Sequence, residues 1–275
     1  LSAGSHALSD NSKLLNVETV SLHASGSSID LTGQSEGFVV TGGAGVDVIK
    51  GSTGNDTLSG GNSGDTFHII AGTDSISDLA TSDSIIVSSG ATLNATGIAG
   101  FVATNATSNA GTANLTAGSG GVTINMNLSS SGGYNITGGT GADILTGGAG
   151  ADTIFIASAG DESSDIYDGG AASDVLQMAA GSQSFSNDAS LLNIEVVQAH
   201  SSGSTINLTG QTEVFTITGN SANDTITGGS NNDTLTGGSG NDTFNITAGT
   251  DTISDLSTLD VLTVSSGATA LATNI

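Results

Sequence analysis

The sequence predicts an all-β fold, a parallel β-roll or β-solenoid assembled from duplicated units. Three observations point there: a nine-residue phrase returns in tandem, a 77-residue segment occurs twice, and the composition suits stacked short strands. Proline and cysteine are absent and aromatic residues make up 3% of the chain, so neither disulfides nor a wide aromatic core can hold it. Glycine, serine, threonine and aliphatic residues take their place, as narrow coils lined by aliphatic ladders require.

The tandem phrase runs glycine, glycine, any residue, glycine, any residue, aspartate, then a short strand centred on an aliphatic residue. It reads Gly42-Gly43-Ala44-Gly45-Val46-Asp47-Val48-Ile49-Lys50 and restarts at Gly51 and Gly60. A second run starts at Gly138 and Gly147, and a third at Gly219, Gly228 and Gly237, eight copies in all. Glycine permits positive φ, so each loop can turn tightly and aim its carbonyls inward. The aspartate supplies the hard anionic oxygen that calcium prefers. Some copies depart from the pattern. Ser52 and Ser63 replace glycines in the first run, and Ala222 and Asn231 stand in the fourth slot in the third. Asparagine tolerates left-handed geometry, whereas Ala222 weakens the first loop of its run.

These residues resemble the RTX repeat family, secreted proteins of Gram-negative bacteria whose nonapeptides wind into a calcium-bound β-roll. Within it the chain is most similar to RTX-type S-layer proteins. The resemblance implies that two nonapeptides make one coil. Each ion would sit between a loop and the loop two repeats later, held by carboxylates and loop carbonyls. The aspartates expected to bind Ca2+ are Asp47, Asp56, Asp65, Asp74, Asp143, Asp152, Asp174, Asp224, Asp233, Asp242 and Asp251. The loop glycines that accompany them are Gly42, Gly45, Gly51, Gly60, Gly138, Gly141, Gly147, Gly150, Gly219, Gly228, Gly237 and Gly240. With two repeats per coil, Asp47, Asp65 and Asp83 stack in one row and Asp56 and Asp74 in another. The third run gives Asp224, Asp242 and Asp260 against Asp233 and Asp251. Row neighbours would stand roughly 5 Å apart. At that distance unit charges repel by roughly 1 to 3 kcal/mol, so the rolls are expected to need metal to fold.

The period extends beyond the glycine loops. Downstream, Asp74 with Ile76 and Asp83 with Ile85 keep the slots. Upstream they are read as Val20 with Leu22, Ile29 with Leu31 and Phe38 with Val40, in metal-free coils. Residues 14–90 align without gaps on 191–267, with 45 of 77 positions identical, which marks a duplication. Three units follow: 1–90 with the first run, 91–183 with the second, and 184–275 with the third. In the middle unit, Val122, Ile124, Met126 and Leu128 alternate as a strand. Asp165 with Tyr167 and Asp174 with Leu176 resume the nine-residue step after an insertion. Residues 91–119 read either as a linker or as irregular coils.

The net charge is −24, with Lys13 and Lys50 the only basic side chains besides histidine. This excludes nucleic acid as a partner and calls for bound cations. No stretch approaches a transmembrane span. Starting at Leu1, the chain reads as a fragment or processed product. The glycine loops carry no lysine or arginine for phosphate, and His6, His23, His68 and His200 lie in no zinc-protease motif. Glu18 and Glu195 read as turn supports, and Asp30, Asp83, Asp161, Asp168 and Asp260 as solvated or capping acids. The chain is therefore expected to be no enzyme. Two functions fit. One is an extracellular structural protein whose calcium rolls drive folding and assembly into an S-layer or surface filament. Its partners would be further copies of itself joined through calcium, and cell-surface polysaccharide. The other is the C-terminal RTX secretion and folding module of a type I-secreted enzyme, toxin or adhesin.

Overall fold

The computed structural model describes every residue except Ser9, Ser12, Lys13, Asp161, Asn274 and Ile275. Contacts divide the chain into two compact units, Leu1–Gly139 with Thr146–Gly150, and Thr140–Leu145 with Ala151–Ile275. Among the described residues there are no α-helices, and each unit is a parallel β-solenoid.

The strands are short because each repeat supplies only one inward residue between two loops. In Thr57–Ser59, Thr225–Thr227 and Thr234–Thr236 a central Leu or Ile faces the interior, flanked by hydroxyl side chains. Threonine is stiff at χ1 and suits the pleat, which favours a strand in even three residues.

In the first unit one sheet runs Gly4–Ala7, Ser27–Asp30, Val48–Lys50, Thr66–Ile69, Ser84–Val87 and Ser108–Asn109. A second begins Thr19–Ser21, Val39–Thr41, Thr57–Ser59 and Thr73–Ile76, and continues through Thr92–Ile98, Thr112–Ala117 and Asn135–Thr137. Its register stacks Val20, Val40, Leu58, Ile76, Ala95, Leu115 and Ile136 into one ladder of buried side chains. The other sheet stacks Ile29, Ile49, Phe67 and Ile85. In the second unit the equivalent ladder is Ile154, Leu176, Val197, Ile217, Leu235 and Ile253. Burying each Leu or Ile stabilises by about 1.5–3 kcal/mol, so the core is a sum of many small layers.

The register corrects the upstream phase. Thr57 pairs with Val39, one eighteen-residue coil, but Val39 pairs with Thr19 and Val48 with Ser28, each twenty residues away. The aliphatic slots of the earlier coils are therefore Val20 and Ile29, not Leu22 and Leu31. Two extra residues in the metal-free coil break the strict count of nine. Residues 91–119 form coils of the solenoid. Thr92–Ile98 and Thr112–Ala117 pair in parallel, with Leu93, Ala95, Ala113 and Leu115 buried. On their outer face Asn114 donates to the Asn94 side chain and Asn135 to Asn114, each at 2.8 Å, an amide ladder in register with Ser75, while Leu93 stands opposite Asp74 and ends the aspartate row. Val122, Ile124 and Met126 alternate inward as expected, but Leu128 turns out to solvent.

Candidate metal centre

Each repeat places its aspartate directly before the strand, so the carboxylate faces back across the preceding coil. Apart from the half-buried Asp260, the row aspartates are buried, from 0% exposed for Asp47 and Asp74 to 3% for Asp83. In the first unit Asp65 Oδ1 accepts the Asp47 N–H at 2.8 Å, and Asp83 Oδ1 accepts the Asp65 N–H at 2.9 Å. In the parallel row Asp56 accepts from Phe38 N–H and Asp74 accepts from Asp56 N–H, at 2.8 and 2.9 Å. The second unit repeats the arrangement. Asp242 accepts from Asp224, Asp260 from Asp242 and Asp251 from Asp233. The second carboxylate oxygen often turns into its own loop: Asp47 Oδ2 accepts Gly43 N–H and Asp233 Oδ2 accepts Gly229 N–H.

The second run divides between the units. Gly138, Gly147 and Gly150 fall in the first, and Gly141, Asp143 and Asp152 in the second. Asp165 accepts the Asp143 N–H and Asp174 the Asp152 N–H, each across 22 residues, so the insertion lengthens the coil without breaking the row. Glu195 Oε2 then accepts the Asp174 N–H at 2.8 Å. A glutamate thus occupies a row position, a role beyond supporting a turn. Asp83 and Asp260 also belong to the rows, although neither stands in a complete loop. Asp30 and Asp168 are half-buried. Asp30 binds Thr32 and pairs with Lys50 at 3.4 Å, and Asp168 accepts from Gly170 N–H and Asn193. Asp161 lies outside the described residues.

Substituted loop positions keep the geometry. Asp224 beside Ala222 is 2% exposed and bonds Asn220 N–H and Ser204 N–H as its counterparts do. Asn231 does not use a positive φ. Its side chain instead donates to the Thr212 carbonyl, while Ser63 takes the left-handed conformation at φ 81°. His23 and His200 bind Ser25 and Ser202 locally, each Nδ1 lying 2.8 Å from the hydroxyl and accepting the serine N–H.

Three features of this site suit a hard divalent cation. First, carboxylates converge where glycine leaves space: a methyl group on Gly51 would stand 2.6 Å from Asp56 Oδ2 and 3.3 Å from Asp74 Oδ2. On Gly42 it would collide with the Gly60 carbonyl oxygen and lie 2.8 Å from Asp47 Oδ2. Second, Oδ2 of Asp65, Asp74, Asp174 and Asp251 is buried without a hydrogen-bond partner. Third, the donors are carboxylate and carbonyl oxygens, the set calcium takes. Among the described residues no three His, Cys, Asp or Glu side chains gather at one point, so backbone carbonyls must complete any shell.

The electrostatics agree. Burial pushes the Asp74 carboxyl up to about 7, with the Asp56 charge adding to it. Burial likewise raises Asp65, Asp174 and Asp233 to about 6, helped by neighbouring carboxylates. Burial is the largest cause in each, and the main-chain N–H that each carboxylate accepts offsets part of it. A bound cation would reverse the preference and hold these groups ionised.

The family model of the RTX calcium-binding nonapeptide repeat, four copies long, matches residues 41–76, 135–155 and 218–253, about a third of the chain. No curated protein matches the chain at a significant level.

Proposed function

We propose that this chain, whose three repeat blocks are RTX calcium-binding nonapeptides, is an extracellular structural protein that folds on calcium and assembles into an S-layer or surface filament. Proteins with such repeats are typically secreted, and the β-roll is a structural rather than catalytic element. The observation that supports an assembly role is the interleaving of the blocks with metal-free coils. In each unit the sheets that carry aspartate rows continue into coils held by aliphatic ladders, and in the first unit by an asparagine ladder. Calcium binding is thereby coupled mechanically to a longer scaffold. Its partners would be other copies of the chain, joined as calcium neutralises the net charge of −24, and a cell-surface polysaccharide as anchor.

Electron microscopy and sedimentation of the full-length protein, at matched concentration in calcium and in chelator, test the proposal. Sheets or filaments should form in calcium and dissociate in chelator. A strictly monomeric species in saturating calcium would sink it and leave the RTX secretion and folding module of a type I-secreted protein as the better reading.

A further inference from the structure

Aromatic side chains are scarce in this chain and belong to its interior: of seven Phe and two Tyr, eight are at most 2% exposed. Phe155 is the exception. It closes the strand Thr153–Phe155 and stands outward and half-buried, while Ile154 beside it turns into the core. The other nonapeptide copies end on a hydrophilic residue, among them Lys50, Ser59, Thr146 and Thr236. Along the sheet the same row holds Gln177, Gln198, Thr218 and Thr236. An outward phenyl ring adds nothing to the aliphatic ladder and leaves apolar area in water.

The ring lines a groove of about 430 Å³ in the second unit, within the size range of small-ligand clefts. Ile156, Met178 and Ala179, all buried, give it apolar surface, and Gln177 and His200 bring polar groups that are fixed from behind. Gln177 Nε2 donates to the Gln198 and Ala199 carbonyls at 3.3 and 3.0 Å, which orients the amide and leaves Oε1 to accept. His200 Nδ1 accepts the Ser202 N–H at 3.2 Å, so the proton of the neutral imidazole is on Nε2 and can be donated. None of the lining residues is an acid, so a cation gains no carboxylate there, and the net charge of −24 repels an anion.

We propose that this groove is a binding subsite for a neutral sugar residue, with Phe155 as its stacking platform. The C–H face of a pyranose ring covers the phenyl ring, while its hydroxyls, which donate and accept alike, meet Gln177 Oε1 and His200 Nε2–H. An apolar peptide would cover the ring but bury that acceptor and donor unpaired, at a cost to binding. The inference rests on the polysaccharide partner proposed above and gives it a place, on residues outside the expected calcium ligands.

The test is an array of immobilised oligosaccharides, neutral hexose and N-acetylhexosamine chains beside acidic ones, together with apolar peptides, probed with the full-length protein in calcium. Phe155→Thr is the informative variant, because threonine already fills the row at Thr218 and Thr236 and the coil should keep its β-type circular dichroism. The native protein should retain neutral chains and Phe155→Tyr should match it. Phe155→Thr should lose about tenfold in affinity, and Gln177→Ala a smaller factor. Should the threonine variant not fold, Phe155→Leu, which keeps apolar bulk without the ring, gives the same comparison. Equal binding by the native protein and either folded ring-less variant would overturn the subsite while leaving a polysaccharide partner elsewhere on the chain. Retention of acidic chains alone would do the same. Retention of peptide in place of glycan would overturn the proposal and make the groove a protein-docking site, and a native protein that retains no glycan would defeat the polysaccharide reading as well.

Discussion

A row aspartate serves two coils at once: one oxygen grips the main chain of the preceding coil while the other turns toward its own loop. Asp65 and Asp242 each accept an N–H eighteen residues earlier in the row and donate their own to the next acid. Asp30, by contrast, is partly exposed, and its carboxyl is held low chiefly by the Thr32 hydroxyl. Asp65→Ala or Asp242→Ala should therefore raise the calcium midpoint by about ten- to a hundredfold, the loss of one charge-assisted bond of roughly 1.5–3 kcal/mol, whereas Asp30→Ala shifts it little. Calcium titration followed by circular dichroism measures this, and equal shifts for the two sets would refute the row arrangement. Gly51→Ala tests the cradle from the glycine side. Its methyl would crowd Asp56 and Asp74 Oδ2, so calcium binding should weaken although no acid is lost. At this scale the sequence was informative wherever Gly and Asp recur in fixed slots. Glu195 was not legible, because a longer side chain reaches the row from a different offset.

Two kinds of coil build each unit, and they should respond differently to substitution. In a roll coil the strand Thr57–Ser59 contributes Leu58, wholly buried between Val40 and Ile76. Leu58→Ala leaves a cavity that neighbours of three or four residues cannot close, at a cost of about 2–5 kcal/mol. In the metal-free coils Asn114 bonds both Asn94 and Asn135. Asn114→Ala breaks both bonds and should cost about 2 kcal/mol, lowering the melting temperature in saturating calcium while the number of bound ions stays the same. A lower ion count in Asn114→Ala would mean that these coils take part in metal binding. The roll coils were readable because period and slot coincide. The coils of residues 91–119 were not, since their lengths run from nineteen to twenty-three residues and Leu93 and Ala113 take the slot that Asp74 holds one coil earlier. The upstream slots failed for the same reason: a coil of twenty residues still alternates inward and outward, so its pattern does not betray the two extra residues.

Across the whole molecule, buried acids and an opposing charge of almost nothing make the metal-free fold a problem of protonation. In calcium the chain should give β-type circular dichroism, and in chelator at neutral pH it should be largely disordered, with magnesium a poor substitute because it demands tighter octahedral geometry. The acid side is less obvious and follows from the raised carboxyls. Burial lifts Asp65, Asp174 and Asp233 to about 6 and Asp74 to about 7 in the folded chain, against an ordinary value of 3.8. A carboxyl raised on folding binds its proton more tightly in the folded state. Its contribution to stability is complete below about 3.8 and is lost as pH climbs through 6 to 7. Protons can thus stand in for calcium. In chelator, lowering the pH from about 8 to about 4 should restore part of the β signal, and the recovery should be largest between 7 and 4. In calcium the sign reverses, because the ion requires the ionised carboxylate: the calcium midpoint should rise as pH falls through the same window. Circular dichroism with light scattering, to exclude aggregation, measures both arms. A chelated chain equally disordered at the two pH values would show that burial of these acids does not limit the metal-free fold, and that closing the loops on the ion is the whole of what calcium supplies.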